Sequence, residues 1–437
     1  MSEKERNDAK KGEEKHRGKR ILLRTFGCQM NDRDSETLLG LFLDKGYSSV
    51  ENPEDADVIL VNTCSVRDHA ENRAISLLGS YKNLKEPQNP KCKIQNKSKI
   101  SNHKFSDTRP PTPDARKIIG LIGCMARNRG EEILKKMHHL DLVVGPAHFD
   151  KIPEYVDKIR QEGIRVINTE DGERSEILYR PLYRLEPGYA QVVISTGCSN
   201  YCSYCVVPFV RGPLRCRKPK DIIDEVKRNV DLGIRRITLL GQNVNDYHHK
   251  PPSHQVTKSQ GEDLRGTRYA VHSTNASFVE LLKMVAGIEG IEEIDFITSH
   301  PKNTSRELFQ VMAESSKIKK HIHLPFQSGS NRILGLMNRG YTGKDYIDLA
   351  RDYRDLVKGT LSTDVIVGFP QETEDDFLQT KDILEKVNFK YAYIFKYSPR
   401  PNTKACSFKD DVPAEEKQRR HRILLGLQKQ ISLTNKL

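Results

Sequence analysis

A short apolar run followed by a helix-compatible segment recurs along most of this chain, and that alternation restricts its fold more than any other feature. Three runs near the start end in a cysteine: ILLRTFGC at Cys28, VILVNTC at Cys64 and IIGLIGC at Cys124. Each has the length and apolar density of a buried strand. Helix-compatible sequence follows each, as in SETLLGLFLDKG from Ser35, SVRDHAENRAISLLGSY from Ser65 and EEILKKM from Glu131. A βα rhythm of this kind predicts an α/β protein that begins with an open parallel sheet. From Tyr189 six further units follow, with strands near AQVVIST, RRITLLG, EEIDFITS, IHLPF, STDVIVGF and AYIFKYS. Helices between them include PKDIIDEVKRNVDLG, SFVELLKMVA, SRELFQVMAE and a segment opened by the Thr373 to Asp376 capping box. Eight units would close a complete barrel. Six predict a partial (β/α)6 barrel with an open side, suited to a large substrate.

The expected layout is a disordered tail over 1–19, a first domain over 20–170, a linker over 171–188, the partial barrel over 189–420 and a helical stub over 421–437. Two polar inserts interrupt it. Residues 82–117 carry ten basic and three acidic side chains, more than half of the chain's formal charge of +13. They read as a mobile loop, either inert or holding RNA phosphates. The second insert, 246–275, contains His248, His249, His254 and His272 at irregular spacing, which favours a solvated loop over a metal site. No apolar stretch reaches the roughly 18 residues of a membrane span, and the N-terminus lacks the apolar core of a signal peptide. A cytoplasmic location, no membrane association and a polyanionic partner are therefore expected. In a reducing compartment the nine cysteines are metal ligands, catalytic thiols or buried residues rather than disulfides.

Two cysteine constellations carry the chemistry. Cys198, Cys202 and Cys205 form CxxxCxxC at the end of the first barrel strand. Three thiolates can hold three irons of a 4Fe-4S cluster and leave the fourth open. A zinc knuckle or redox pair is the alternative, with Cys216 as the fourth ligand. Cys28, Cys64 and Cys124 each close a predicted strand just before a helix. In an open parallel sheet such ends face one crevice, and helix N-termini there favour thiolate and metal ligation. Cys92, Cys216 and Cys406 lack neighbours at ligand spacing and read as bystanders.

The segment ISTGCSNYCSYCVVPFVRG resembles the cluster loop of the radical S-adenosylmethionine superfamily, in particular its methylthiotransferase branch. TFGCQMNDRDSE, NTCSVRDHAENR and GLIGCMARNRGEEI resemble the N-terminal methylthiotransferase domain. LLGQNVN, TSHP, HLPFQSGS, MNRGYT and STDVIVGFP extend the likeness from about Lys19 to the chain end, the inserts excepted. The resemblance implies two 4Fe-4S clusters, one on Cys198, Cys202 and Cys205 and an auxiliary one on Cys28, Cys64 and Cys124. It also implies S-adenosyl-L-methionine, cleaved reductively to a radical that removes hydrogen from C2 of an adenine. Sulfur would then come from the auxiliary cluster and the methyl group from a second S-adenosylmethionine. Gln29-Met30-Asn31 resembles the branch acting on N6-dimethylallyladenosine beside the tRNA anticodon. The alternatives are the branches acting on threonylcarbamoyladenosine or on a ribosomal protein.

By the same resemblance Gln242, Asn243, Ser299, His300, Gln327 and Asp364 are candidates for cofactor or substrate contact, with loop capping or a structural hydrogen bond as the alternative for each. Tyr204 would pack on the adenine, and Arg211 and Arg217 would meet RNA phosphate. Implied partners are tRNA and an electron donor such as a flavodoxin or ferredoxin, with the chain a monomer. Two departures from the family stand out. Members usually end in a small RNA-binding β-barrel, whereas this sequence stops at Leu437 after a basic helix, so that module is expected to be missing or the sequence truncated. RGPLRCRKP also differs around Pro213, Leu214 and Cys216. The rival class is a non-enzymatic Fe-S protein that binds RNA or senses redox state.

Overall fold

The computed structural model describes residues 19–65, 68–84, 117–172, 174–175, 178, 186–249 and 275–434. Most of both inserts, with Cys92, His254 and His272, lies outside these residues, as does the tail 1–18. The chain divides into two units. One comprises residues 1–185 together with 209–211, the other residues 186–208 and 212–437.

In the first unit strands β1 (Arg20–Phe26), β2 (Ser48–Ser49), β3 (Val58–Thr63), β4 (Ile118–Gly123), β5 (Leu142–Val144) and β6 (Val166–Asn168) form one sheet. Its order is β2-β1-β3-β4-β5-β6, and every pairing is parallel. VILVNT of β3 and IIGLIG of β4 are buried at every position, as central parallel strands covered on both faces must be. Side chains alternate between the faces. Val58 and Leu60 join a core with Phe42 and Phe149, while Ile59 and Val61 join another with Leu78 and Ile133. Helices α1 (Gln29–Asp44), α2 (Asp68–Ser80), α3 (Cys124–Lys136) and α4 (Ile152–Glu162) cover the sheet. Two of them start earlier than the apolar periodicity suggests. α1 begins at Gln29 because the Cys28 carbonyl accepts the N–H groups of Asn31 (2.8 Å) and Asp32 (3.2 Å), and α3 begins at Cys124 itself.

The second unit contains the six expected parallel strands: β7 (Tyr189–Val193), β8 (Arg236–Leu240), β9 (Glu293–Ile297), β10 (His321–His323), β11 (Thr360–Val367) and β12 (Tyr391–Lys396). They pair as β7-β8-β9 and β10-β11-β12. A parallel bridge between Ile294 and Ile318 joins the two sets. Among the described residues β7 and β12 each have one partner strand, so the arc is open, in line with the count of six units. Helices α5 (Pro219–Asp231), α6 (Phe278–Ala286), α7 (Arg306–Glu314), α8 (Gly343–Val357), α9 (Glu374–Val387) and α10 (Ala414–Thr434) complete the units, and one apolar core binds them to the strands. α9 opens on the expected capping box, with Thr373 and Asp376 exchanging hydrogen bonds. The expected boundary at 420 falls inside α10. Leu424 is fully buried, and Gln428 Nε2 donates to the Phe389 carbonyl at 3.0 Å, so residues 421–434 are part of the barrel unit rather than a stub. No described helix is long and apolar enough to cross a membrane.

Candidate metal centres

β1, β3 and β4 are neighbours whose last residues, Phe26, Thr63 and Gly123, stand level in the register. The next residues leave the sheet at one rim, on strands about 4.8 Å apart. Cys28, Cys64 and Cys124 are those residues or one beyond. Two glycines make the approach possible. Gly27 has φ +134°, and a Cβ there would lie 2.3 Å from the Cys64 Cβ. Gly123 has φ +92°, and its Cβ would lie 2.4 Å from Asn62 Oδ1. Behind the rim Asn31 and Asn62 are fully buried and lock together. Asn31 Nδ2 donates to Asn62 Oδ1 (3.1 Å), and Asn62 Nδ2 donates to the Asn31 carbonyl (2.9 Å) and Ser35 Oγ (2.9 Å). Cys28 Sγ donates to Asn31 Oδ1 at 3.2 Å, so this network fixes the thiol as well as the strand.

Arg211, which clusters with the first unit, donates from Nε to Cys124 Sγ at 3.2 Å. Its Nη2 pairs at 2.9 Å with Asp34, a fully buried carboxylate that also holds Arg174. A hydrogen bond from Cys64 lowers the Cys28 pKa to about 6, against the opposing effect of burial and with help from Arg211. Cys124 departs from the expected helix-terminus effect: burial raises its pKa, and Arg211 offsets this only in part.

In the second unit Cys198, Cys202 and Cys205 lie on the loop that follows β7. Gly197 takes φ +74° where a Cβ would meet the Pro213 carbonyl oxygen at 2.1 Å. Gln242 Oε1 accepts the Gly197 N–H at 2.5 Å, and Asn338 Nδ2 donates to the carbonyls of Asn200 (3.2 Å) and Tyr201 (3.0 Å). The Cys198 N–H donates to the Gly212 carbonyl and that of Ser203 to the Met337 carbonyl. Burial, then the neighbouring Cys202, pushes the Cys205 thiol up to about 12, and burial also raises Cys198. Those penalties fall away when a thiolate ligates a cation.

Among the described residues two side-chain nitrogens lie within hydrogen-bond reach of Cys202 Sγ. Arg339 Nη1 lies 3.4 Å away and His300 Nε2 3.8 Å away. Burial, then Arg339 and Lys302, pushes the His300 pKa down to about 2, so the ring is neutral. Its Nδ1 accepts the Lys302 N–H at 3.1 Å, which puts the ring proton on Nε2, facing the sulfur.

The other candidates divide. Asn243 and Ser299 are buried at the ends of β8 and β9. Asn243 Nδ2 donates to Asn303 Oδ1 at 3.1 Å, but Asn243 Oδ1 and Ser299 Oγ have no partner among the described residues. Gln327 adopts φ +67°, and its backbone pairs with Asp364 and Ile366. The Asp364 carboxylate faces His323 Nε2 at 3.4 Å. Tyr204 packs against an apolar cluster containing Met337, Phe369 and Tyr397, with its hydroxyl 3.4 Å from Arg339 Nη1. The expectation that Arg211 and Arg217 meet RNA phosphate is corrected by burial. The Arg211 side chain is 4% exposed and tied to Asp34, and Arg217, equally buried, pairs with Glu225 at 2.7 Å. Sequence reasoning passed over Arg339, although it stands in the MNRGYT segment, and Asp34 and Asn62. Nothing in a hydropathy pattern marks a polar side chain that is buried and paired.

The eight described cysteines are free thiols. Among the described residues no three Cys, His, Asp or Glu side chains converge closely enough to share one metal ion, which counts against a zinc knuckle. A cubane makes no such demand, because each thiolate binds a separate iron. Cys216 accepts the His248 N–H at 3.4 Å, and its pKa is raised by burial and by Asp246, with none of the three loop thiols acting on it. Both triads fit a cubane: one brings three thiols from three strand ends and the other from one loop, and in each a guanidinium against a sulfur would offset the cluster's negative charge.

Comparison with known proteins adds the following. The model of the Uncharacterized protein family UPF0004 matches residues 20–145, and that of the Radical SAM superfamily matches residues 192–384. A tRNA-2-methylthio-N(6)-dimethylallyladenosine synthase from Natranaerobius thermophilus is 38% identical over 420 residues, covering 95% of this chain and 82% of its own length. Its counterpart from Aquifex aeolicus is 38% identical over 416 residues, covering 94% and 84%. Among solved structures the radical S-adenosylmethionine methyltransferase TsrM from Kitasatospora setae superposes with a TM-score of 0.55 at 12% identity, covering 89% of this chain and 75% of that one. This last likeness concerns the fold alone.

Proposed function

Because the chain belongs to the family of tRNA-2-methylthio-N(6)-dimethylallyladenosine synthases, within the radical S-adenosylmethionine superfamily, we propose that it inserts sulfur and a methyl group at C2 of N6-dimethylallyladenosine next to the tRNA anticodon. It is a transferase, and the rival reading as a non-enzymatic Fe-S protein falls with that membership. The observation that carries the assignment is the pair of thiol triads, one at the carboxyl ends of three neighbouring parallel strands and one on the loop that follows the first barrel strand, each with an arginine on one sulfur. When bound, two 4Fe-4S clusters and S-adenosyl-L-methionine supply the electron, the radical, the sulfur and the methyl group.

The chain supplies ligation, orientation and dryness. Cys198, Cys202 and Cys205 would hold one cluster, which serves S-adenosylmethionine, while Cys28, Cys64 and Cys124 would hold the auxiliary cluster. Asn243 Oδ1 and Ser299 Oγ, buried without partners among the described residues, are acceptors that a polar cofactor would satisfy. Gln242 acts one step back by pinning the Gly197 N–H of the cluster loop. Gln327, Asp364 and Tyr204 complete the proposed cofactor set. The open side of the six-stranded arc admits a substrate too large to be enclosed. A cytoplasmic monomer reduced by a flavodoxin or ferredoxin completes the proposal.

Mass spectrometry of tRNA nucleosides from a strain lacking this protein tests the substrate. The 2-methylthio form of N6-dimethylallyladenosine should vanish and the unthiolated form accumulate, and loss of the threonylcarbamoyl counterpart instead would redirect the assignment. Cys202→Ala should abolish reductive cleavage of S-adenosylmethionine. Full cleavage with an unaltered Fe-S spectrum would remove that ligand assignment.

A further inference from the structure

Arg339 is 4% exposed, and among the described residues no carboxylate pairs with it. Its donors are directed one by one. Nε donates to Tyr341 Oη at 3.0 Å and Nη2 to the Pro325 carbonyl at 2.7 Å, while Nη1 reaches Cys202 Sγ and Tyr204 Oη, both at 3.4 Å. Tyr341 Oη accepts from Arg339 and gives its own proton to the Phe326 carbonyl at 3.0 Å. Every acceptor but one is a neutral oxygen. A buried guanidinium needs an opposite charge, and Cys202 as an iron-bound thiolate is the group within reach that can carry it.

The same sulfur receives a second donor. His300, whose Nδ1 is occupied by the Lys302 N–H, turns Nε2 toward Cys202 Sγ at 3.8 Å, and its ring meets Tyr341 edge-on at 5.9 Å. Cys198 and Cys205 are acted on by backbone N–H groups of their own loop, those of Asn200 and Val207. Cys202 is thus the thiol that distant parts of the barrel have been brought in to meet, one from the end of β9 and one from the turn before α8.

We propose that Arg339 is a positioning residue and the built-in counter-cation of the barrel cluster, and that with His300 it sets the cluster's reduction potential through Cys202 Sγ. The inference rests on the reading of Cys198, Cys202 and Cys205 as cluster ligands. A positive charge and N–H donors at a ligand sulfur stabilise the more negative, reduced cluster and raise its potential. Arg339→Gln removes the charge and lowers the potential. Arg339→Lys keeps the charge but loses the planar fork that reaches Tyr341, Pro325 and Cys202 together, so it gives a smaller shift.

The test uses the full chain carrying Cys28→Ala, Cys64→Ala and Cys124→Ala, so that one cluster remains. After anaerobic reconstitution and an iron count, the cluster is titrated spectroelectrochemically and followed by electron paramagnetic resonance. Arg339→Gln should cut the ratio of reduced to oxidised cluster at a fixed potential at least tenfold, a shift of about 59 mV for one electron. Arg339→Lys and His300→Phe should each shift it in the same direction by less. A midpoint unmoved in Arg339→Gln at normal iron content overturns the inference, and weaker S-adenosylmethionine binding with that unmoved midpoint would make Arg339 a partner of the cosubstrate instead. If Arg339→Gln takes up no iron, the other two variants decide, and unmoved potentials in both overturn it. A parent chain that binds no cubane would sink the ligand reading first and the inference with it.

Discussion

At the scale of single residues, the first metal centre depends on hydrogen atoms where other residues have a methyl group. Gly27→Ala puts a carbon 2.3 Å from the Cys64 Cβ on a backbone that an L side chain rarely adopts. The rim must open, and the iron content of the full chain should fall by about half while S-adenosylmethionine cleavage by the barrel persists. Unchanged iron stoichiometry would show that the close approach does not matter. Arg217 makes the opposite kind of prediction, because its guanidinium is spent on Glu225 and the Val193 carbonyl. Arg217→Ala takes the cation out of a buried ion pair and should cost about 3–5 kcal/mol of stability by thermal or urea unfolding, with little specific effect on RNA affinity. The cysteines themselves were legible in the sequence, since CxxxCxxC and three strand-ending thiols are patterns of identity and spacing. Arg339, Asp34 and Asn62 were not, because what matters about them is what they touch.

At the scale of elements, the strands that bury every side chain announced themselves and the short ones did not. VILVNT and IIGLIG are unmistakable apolar runs, whereas β5 and β6, at three residues each, are too brief to show a period. The start of α9 was readable because its cap is chemical rather than periodic. Asp376 there accepts from Arg332, Ser330 and Thr373, and those bonds outweigh burial and hold its carboxyl below the usual range. A carboxyl depressed in the folded state stabilises fully above its unfolded pKa of about 3.9 and loses that contribution as pH falls toward the folded value. The stability gap between the parent chain and Asp376→Asn should therefore be constant from pH 7 to 5 and narrow below about pH 4. A gap independent of pH in urea titrations would contradict the linkage. Thr373→Ala should cost about 1 kcal/mol in the same assay through loss of the cap.

At the scale of the whole molecule, the βα rhythm disclosed two parallel-stranded units with one triad of thiols in each. The sequence could not disclose that Arg211, written into the cluster loop between Cys205 and Cys216, clusters with the first unit and touches Cys124. Division of labour between the units is testable: Cys64→Ala should retain reductive cleavage of S-adenosylmethionine and lose sulfur insertion, as read by nucleoside mass spectrometry. Loss of both activities at full barrel iron content would tie the two chemistries together.

The open arc has a cost of its own. Among the described residues β7 and β12 each pair with a strand on one side only, and on β12 the Ile394 carbonyl is met by His421 Nε2 of α10 at 3.0 Å. An edge of this kind invites a strand from another copy of the chain, the usual first step of edge-to-edge aggregation. β12 carries half-exposed Tyr391 and Tyr393, attractive to such an intruder, between Lys390 and Lys396. Lysines flanking an edge strand set like charges against one another when two copies pair, which disfavours pairing along β12.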